Sequence, residues 1–258
     1  MSAQVVIMPS ILAANFVRRD GGAEMKAAWP KGLIFDLDGT LVDSAGDVAA
    51  VLNAVLAEER VCRFADEEVK RLMGGGIRAL LEKALRARDR PTSQATVDRL
   101  YRRFLGIYSE HPLRSTKPFP HTAEVLTELA RRQISIGVCT NKAEAPARST
   151  LEKTGLAIHV SALVGGDSGY GLKPDPRPLQ ACVEKLGLRS ADVVYVGDQG
   201  VDVATARAAG IPVIVVGYGY AGSAVSTLGA DRSMECMAAL PVELAGLAAG
   251  WPARRSPG

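Results

Sequence analysis

The sequence has few cysteines, no long apolar run and little net charge. Its four cysteines form no Cys-x-x-Cys pair, and none has a histidine at the spacing of a metal site. We therefore expect a reduced, cytoplasmic protein. The four are Cys62, Cys139, Cys182 and Cys236.

The apolar stretches are too short for a membrane protein. The longest, residues 211–216, has the length of a strand and already contains Pro212, whereas a membrane helix needs roughly 18 residues or more. The net charge is only +3. The arginines between residues 86 and 103 lie in helical patterns, which predict that they are on solvent-exposed helix faces. We expect neither a membrane nor a nucleic acid as partner, and the sequence leaves the oligomeric state open.

Short apolar runs alternate with helical patterns along most of the chain. Near-continuous apolar runs are typical of parallel strands that are covered on both faces. The alternation predicts an α/β fold with a doubly wound parallel sheet, whose functional site lies beyond the carboxyl ends of the strands. The predicted strands are residues 32–36, 134–139, 161–165, 193–197 and 213–217, and the predicted helices between the later ones are 121–132, 143–154, 176–186 and 200–209.

Almost a hundred residues separate the first two predicted strands, which is too long for a simple connection. Helical patterns at 46–60, 65–73, 77–88 and 94–109 predict a four-helix cap at 45–116, inserted into the core. The core then comprises residues 29–44 and 117–248. We interpret residues 1–28 as an N-terminal extension and residues 249–258 as a loose tail.

Asp36 and Asp38 follow directly after the first predicted strand. Residues i and i+2 of a strand share a face, so the two carboxylates point the same way. Like charges this close repel each other unless a cation or a shared proton holds them, which predicts a metal-assisted site. Gly39 and Thr40 allow a tight turn that could aim backbone N–H groups at an anion.

Later strand ends carry further polar residues. Thr140 and Asn141 follow the second strand, where they could hold a phosphoryl oxygen or simply cap the next helix. Lys173 precedes two prolines that stiffen its backbone, which suits a lysine that neutralises a reacting anion. Asp198 ends the fourth strand and Asp202 lies one helical turn further on, so both can face one Mg²⁺ ion. Alternatively, Asp198 could simply cap the next helix, but that interpretation would not explain Asp202.

The segment DLDGTLVDS at residues 36–44 resembles motif I of the haloacid dehalogenase superfamily, and the later segments match its motifs II to IV in order. The resemblance implies hydrolysis of a phosphate monoester, with Asp36 as nucleophile and Asp38 as general acid and base. Thr140 and Lys173 would stabilise the phosphoryl oxygens. Asp36, the Asp38 carbonyl and Asp198 would hold Mg²⁺, with Asp202 nearby. A helical cap after motif I is also implied.

Several segments, including residues 73–76, 137–142 and 164–176, are similar to bacterial phosphoglycolate phosphatases. The activity implied is hydrolysis of 2-phosphoglycolate to glycolate and phosphate. The substrate carboxylate needs a cationic partner, for which Arg78 is the candidate, although it also fits an exposed helix arginine. A sugar-phosphate or nucleotide phosphatase, or a phosphosugar mutase, of the same superfamily is the alternative.

Overall fold

The computed structural model describes residues 29–111 and 113–250. The interpretation of residues 1–28 as an extension lies outside these ranges, and so do residues 251–258 of the predicted tail, 249–258. The tail prediction was wrong for residues 249 and 250, which belong to a helix that ends at Gly250. Within the ranges, no helix has both the length and the hydropathy needed to cross a membrane.

The core is a parallel sheet of six strands in the order β5-β4-β1-β6-β7-β8. The five predicted strands are confirmed, and a sixth, β8, was missed because two of its three residues are exposed at the sheet edge. The chain adds β4 and β5 on one side of β1 and then β6, β7 and β8 on the other side, so the order in which strands are added reverses beside β1 while all strands stay parallel. The strands are β1 (Gly32–Phe35), β4 (Ser135–Cys139), β5 (Ala162–Val164), β6 (Val193–Gly197), β7 (Val213–Val216) and β8 (Arg232–Met234).

Two helical layers cover the sheet, because alternate strand residues face opposite sides. On one side Leu33 and Phe35 pack in a cluster with Leu126, and on the other Ile34 packs with Leu179 and Cys182. Cys139 is also fully buried on this second side. The core helices are α5 (Thr122–Arg131), α6 (Glu144–Lys153), α7 (Arg177–Lys185), α8 (Gly200–Ala209) and α9 (Leu240–Gly250). Of these, α9 was missed by the sequence analysis.

Four helices lie between the first two core strands, at the predicted positions. They share an apolar cluster of their own, in which Leu52, Leu81 and Phe104 are fully or almost fully buried. We call this segment, residues 45–116, the helical insertion. Its helices are α1 (Ala45–Glu58), α2 (Asp66–Leu72), α3 (Gly76–Arg86) and α4 (Gln94–Glu110).

The two chain segments that join the insertion to the core are tied together. Strands β2 (Val42–Asp43) and β3 (Lys117–Pro118) pair antiparallel. Just beyond them, the buried Asp47 carboxylate accepts hydrogen bonds from the backbone N–H groups of Arg114, Ser115 and Thr116 and, at 2.6 Å, from the Thr116 hydroxyl. Burial alone would raise the pKa of Asp47, but the hydrogen bonds from Thr116 and Ser115 outweigh it and lower the pKa.

Candidate active site

Three neighbouring strand ends meet at the centre of the sheet. Strand β1 pairs with β4 on one side and with β6 on the other, so the residues that follow them, Asp36, Thr140 and Asp198, lie at one edge. A pocket opens there. It is lined by Asp36, Asp38, Thr140, Asn141 and Lys173 from the core, and by residues 73–77 and Leu80 from the helical insertion. The structure thus brings most of the predicted site residues together.

The Asp36 carboxylate is buried and incompletely paired. Its Oδ1 atom lies 2.9 Å from Lys173 Nζ, yet no hydrogen bond of good geometry reaches this oxygen from the described residues. Burial raises the pKa of Asp36 to about 6; Lys173 opposes that rise and Asp202 adds to it. Asp36 therefore keeps a carboxylate oxygen available for another partner.

Lys173 is fixed in place by its neighbours. Its ammonium donates to Asp202 Oδ1 at 2.7 Å and to the Tyr195 hydroxyl at 3.0 Å. Burial would lower the pKa of Lys173, but the charges of Asp202 and Asp36 outweigh burial and raise it. Lys173 is thus a permanent cation beside Asp36.

The Asn141 side chain holds the backbone of Lys173. Its amide donates to the Lys173 carbonyl at 3.1 Å, and its oxygen accepts from the Lys173 N–H at 2.8 Å. Asn141 thus positions the lysine. It also lines the pocket, and its expected contact with substrate stays a prediction.

Asp36, Asp198 and Asp202 form a buried acidic cluster, with carboxylate oxygens within 4.8 Å of one another. Burial, then Asp202 and Asp36, raise the pKa of Asp198 well above its usual range. Asp202 is the best satisfied of the three, because Oδ1 accepts from Lys173 and Tyr195 while Oδ2 accepts from the N–H groups of residues 198 and 199. A cluster of this kind, built from hard oxygen atoms, suits a divalent cation.

Asp38 also lines the pocket and is held by two donors. The Ser44 hydroxyl donates to its Oδ1 at 2.6 Å, and Lys142 Nζ lies 3.0 and 3.2 Å from its two oxygens. Lys142 also donates to the hydroxyl of Tyr108, on helix α4 of the insertion, at 2.8 Å. The sequence analysis assigned no role to Lys142. Its position directly after Thr140 and Asn141 at a strand end was the available signal.

Gly39 and Thr40 differ from expectation. Their N–H groups donate to the carbonyls of Val42 and Leu37 within the turn, so they are not presented to an anion. Gly39 has a φ of +89°, which a glycine adopts without strain, and the Thr40 hydroxyl lies 3.4 Å from Asp198 Oδ1. These residues shape the turn and support Asp198.

Arg78 is not brought into the pocket. Its guanidinium pairs with Asp98 and lies 4.4 Å from the centre of the Tyr101 ring. Its side chain is 43% exposed. The reason is local: Arg78 is on helix α3, and Asp98 and Tyr101 are on the facing surface of α4, so both its charge and its planar face have partners inside the insertion.

Comparison with known proteins agrees with this geometry. The family model for haloacid dehalogenase-like hydrolases matches residues 33–216. A phosphoglycolate phosphatase from Rhodospirillum rubrum is 43% identical over 216 residues, which cover 82% of this chain and 89% of the relative. Another, from Caulobacter vibrioides, is 36% identical over 199 residues, which cover 77% and 84%.

A crystal structure described as a predicted phosphoglycolate phosphatase from Haemophilus somnus superposes with a TM-score of 0.76 at 26% identity. The superposition covers 83% of this chain and 97% of that one. With a family model that spans most of the chain and relatives above a third identical over most of their length, this protein belongs to the haloacid dehalogenase-like hydrolase family.

Proposed function

We propose that this chain is a Mg²⁺-dependent phosphatase that hydrolyses 2-phosphoglycolate to glycolate and phosphate. The observation that carries the proposal is a buried Asp36 carboxylate, incompletely paired, that lines a pocket between a fixed lysine cation and a second aspartate two residues on. The relatives named phosphoglycolate phosphatase support the substrate.

The acidic cluster fits a metal ion. Among the described residues none makes a hydrogen bond of good geometry to the buried Asp36 Oδ1, and Asp198 places a second buried carboxylate close to it. Asp36, Asp198 and the backbone carbonyl of Asp38 would hold Mg²⁺, while Asp202, whose oxygens already have donors, would position the groups around it. When bound, the ion shields the charge of the nucleophile from that of the phosphoryl group.

In the first half-reaction, an Asp36 oxygen attacks phosphorus and the bond between phosphorus and the ester oxygen breaks. Asp38, protonated at this stage, gives its proton to the departing oxygen and releases glycolate. Lys173 places a positive charge next to Asp36 and to the phosphoryl group bonded to it, and the Thr140 hydroxyl at the pocket wall binds a phosphoryl oxygen.

In the second half-reaction, a water molecule attacks phosphorus in the aspartyl-phosphate. The Asp38 carboxylate takes a proton from that water, and the bond between phosphorus and the Asp36 oxygen breaks. Phosphate leaves, Asp36 is again a carboxylate, and Asp38 is again protonated. The same residue therefore serves as acid and then as base.

The lining of the pocket on the side of the insertion favours a substrate without sugar hydroxyl groups. The apolar side chains of Val48, Met73 and Leu80 line the side formed by the insertion and offer no partners to sugar hydroxyl groups.

The test is a panel of phosphate esters measured at steady state with Mg²⁺, with EDTA, and after Mg²⁺ is restored. We expect 2-phosphoglycolate to have the highest kcat/KM, and EDTA to abolish an activity that Mg²⁺ restores. The substrate assignment fails if sugar phosphates or nucleotides rank above 2-phosphoglycolate, and the metal assignment fails if EDTA has no effect.

A further inference from the structure

Two of the described residues that line the pocket are cationic, Lys142 and Lys173. An ammonium has three N–H donors. The ammonium of Lys173 has three neighbours, Asp202, Tyr195 and Asp36, all within 3.0 Å. Its hydrogen bonds to Asp202 and Tyr195 and its ion pair with Asp36 hold it beside the proposed nucleophile.

Lys142 has different partners from Lys173, and its residue is only 7% exposed. Its recorded partners are one carboxylate, Asp38, and one hydroxyl, Tyr108. Burial would lower the pKa of Lys142, but Asp38 and Tyr108 outweigh burial and raise it. Lys142 is a stable cation beside the residue that protonates the leaving group.

In 2-phosphoglycolate the carboxylate is attached to the carbon that bears the ester oxygen. When Asp38 contacts the ester oxygen, the Lys142 ammonium beside Asp38 is therefore close enough to contact the substrate carboxylate. The ammonium of Lys142 has three N–H donors. A donor directed into the pocket, which Lys142 lines, can reach the substrate carboxylate at the same time.

Resting on the proposed function, we infer that Lys142 binds the substrate carboxylate and sets specificity for phosphorylated 2-hydroxy acids. Tyr108, from the helical insertion, is a positioning residue that orients the Lys142 ammonium. This role replaces the one expected of Arg78, whose charge is already paired with Asp98. It also explains why a lysine is buried at the wall of the pocket next to the leaving group.

The test compares two substrates of nearly equal size, 2-phosphoglycolate and 2-hydroxyethyl phosphate, which carries a neutral hydroxymethyl group in place of the carboxylate. The ratio of their kcat/KM values reports recognition of the carboxylate and cancels any damage to Asp38. If the wild-type enzyme turns over both equally well, the proposed function itself is wrong. If it prefers 2-phosphoglycolate, the variants below test Lys142.

Lys142→Met keeps an unbranched, buried side chain and removes the charge. We expect the kcat/KM ratio to fall about 100-fold, since a site that loses the partner of a charged substrate group loses discrimination of this order. Lys153→Met, an exposed lysine on α6, is the matched control and should leave the ratio unchanged. A merely structural Lys142 would lower both kcat/KM values equally and preserve the ratio, which would overturn the inference.

Tyr108→Phe provides a second, milder test that does not place a new group beside Asp38. It removes only the hydroxyl that accepts from Lys142 and keeps the ring that packs on Phe104. We expect a rise in KM for 2-phosphoglycolate of about 3- to 10-fold, the effect of one lost hydrogen bond, with little change in KM for 2-hydroxyethyl phosphate. Equal changes for the two substrates would count against the positioning role, and this variant decides the matter if Lys142→Met does not fold.

Discussion

At the scale of single residues, the pocket divides into groups that react and groups that hold them. Asn141 and Asp202 have their polar atoms occupied by Lys173 and by backbone N–H groups. Asp36 lacks such a complete set. The residue with an unused oxygen, rather than the one with the most contacts, is therefore the one suited to attack phosphorus.

Asp36→Asn tests the nucleophile. An amide oxygen is a poor nucleophile, so we expect turnover of 2-phosphoglycolate to fall at least about 1,000-fold. The fold should survive, because burial already raises the pKa of Asp36 toward the neutral form, which an amide resembles. Steady-state assays and thermal unfolding followed by circular dichroism measure both effects. Asp98→Asn, which changes a carboxylate outside the pocket, serves as control, and activity near the wild-type level in Asp36→Asn would refute the assignment.

The carboxylates and the lysine of the site could be predicted from the sequence because each follows or accompanies a strand end, where parallel strands converge. Their partners could not. Lys142 meets Tyr108 across 34 residues and Asp38 across 104, and Arg78 meets Asp98 across 20. Such pairs arise from the packing of helices on one another, which no local pattern encodes.

At the scale of elements, the connection between core and insertion depends on one carboxylate. Asp47 lies in the first turn of α1 and accepts hydrogen bonds from the N–H groups of residues 114–116, which connect α4 to β3. One side chain thus links the first and the last segment of the insertion. The strand pair β2–β3 contributes only two residue pairs beside it.

We expect Asp47→Asn to destabilise the protein by about 2–3 kcal/mol at neutral pH, because an amide replaces an ionised acceptor of several hydrogen bonds. The folded-state pKa of Asp47 is lowered from 3.8, so its stabilisation is complete above this value and is lost as the pH falls through the lower folded-state pKa. Urea midpoints of both proteins should therefore differ at pH 7 and converge below about pH 4.

The exposed carboxylate of Glu67, on α2, provides the control for that measurement. Glu67→Gln should leave the urea midpoint at pH 7 almost unchanged, since surface pairs such as Glu67 with Lys70 contribute little. A difference between wild type and Asp47→Asn that stays constant down to acidic pH would show that the ionised carboxylate is not the stabilising group.

Most strands and helices of the core could be predicted, and the failure to predict β8 and α9 has physical reasons. Strand β8 is an edge strand, and its first two residues, Arg232 and Ser233, face solvent, so it lacks a continuous apolar run. Helix α9 is almost entirely small and apolar, LPVELAGLAAG, and offers no contrast between a buried and a polar face. Periodicity detects elements through such contrast.

At the scale of the whole molecule, the pocket lies between two apolar cores. In the proposed function, the sheet supplies Asp36, Lys173 and the acidic cluster, while the insertion supplies residues 73–77 to the pocket and Tyr108 as a partner of Lys142. Each part has its own buried cluster. The insertion was predictable from the length of the segment, but which of its residues reach the pocket depends on how its helices pack on the core.

Cys139 and Cys182 lie fully buried in the apolar cluster on one side of the sheet. Burial raises the pKa of Cys182 to about 12 and that of Cys139 still further, and alkylating reagents attack only the thiolate. Iodoacetamide at neutral pH should therefore modify the exposed Cys62 in the native protein and reach Cys139 and Cys182 only in urea, as measured by peptide mass spectrometry. Equal modification of Cys62 and Cys139 in the native protein would contradict this.

The thiols of Cys139 and Cys182 would then report how often the sheet opens. The edge of the sheet that carries the site would also tolerate oxidants that damage surface cysteines.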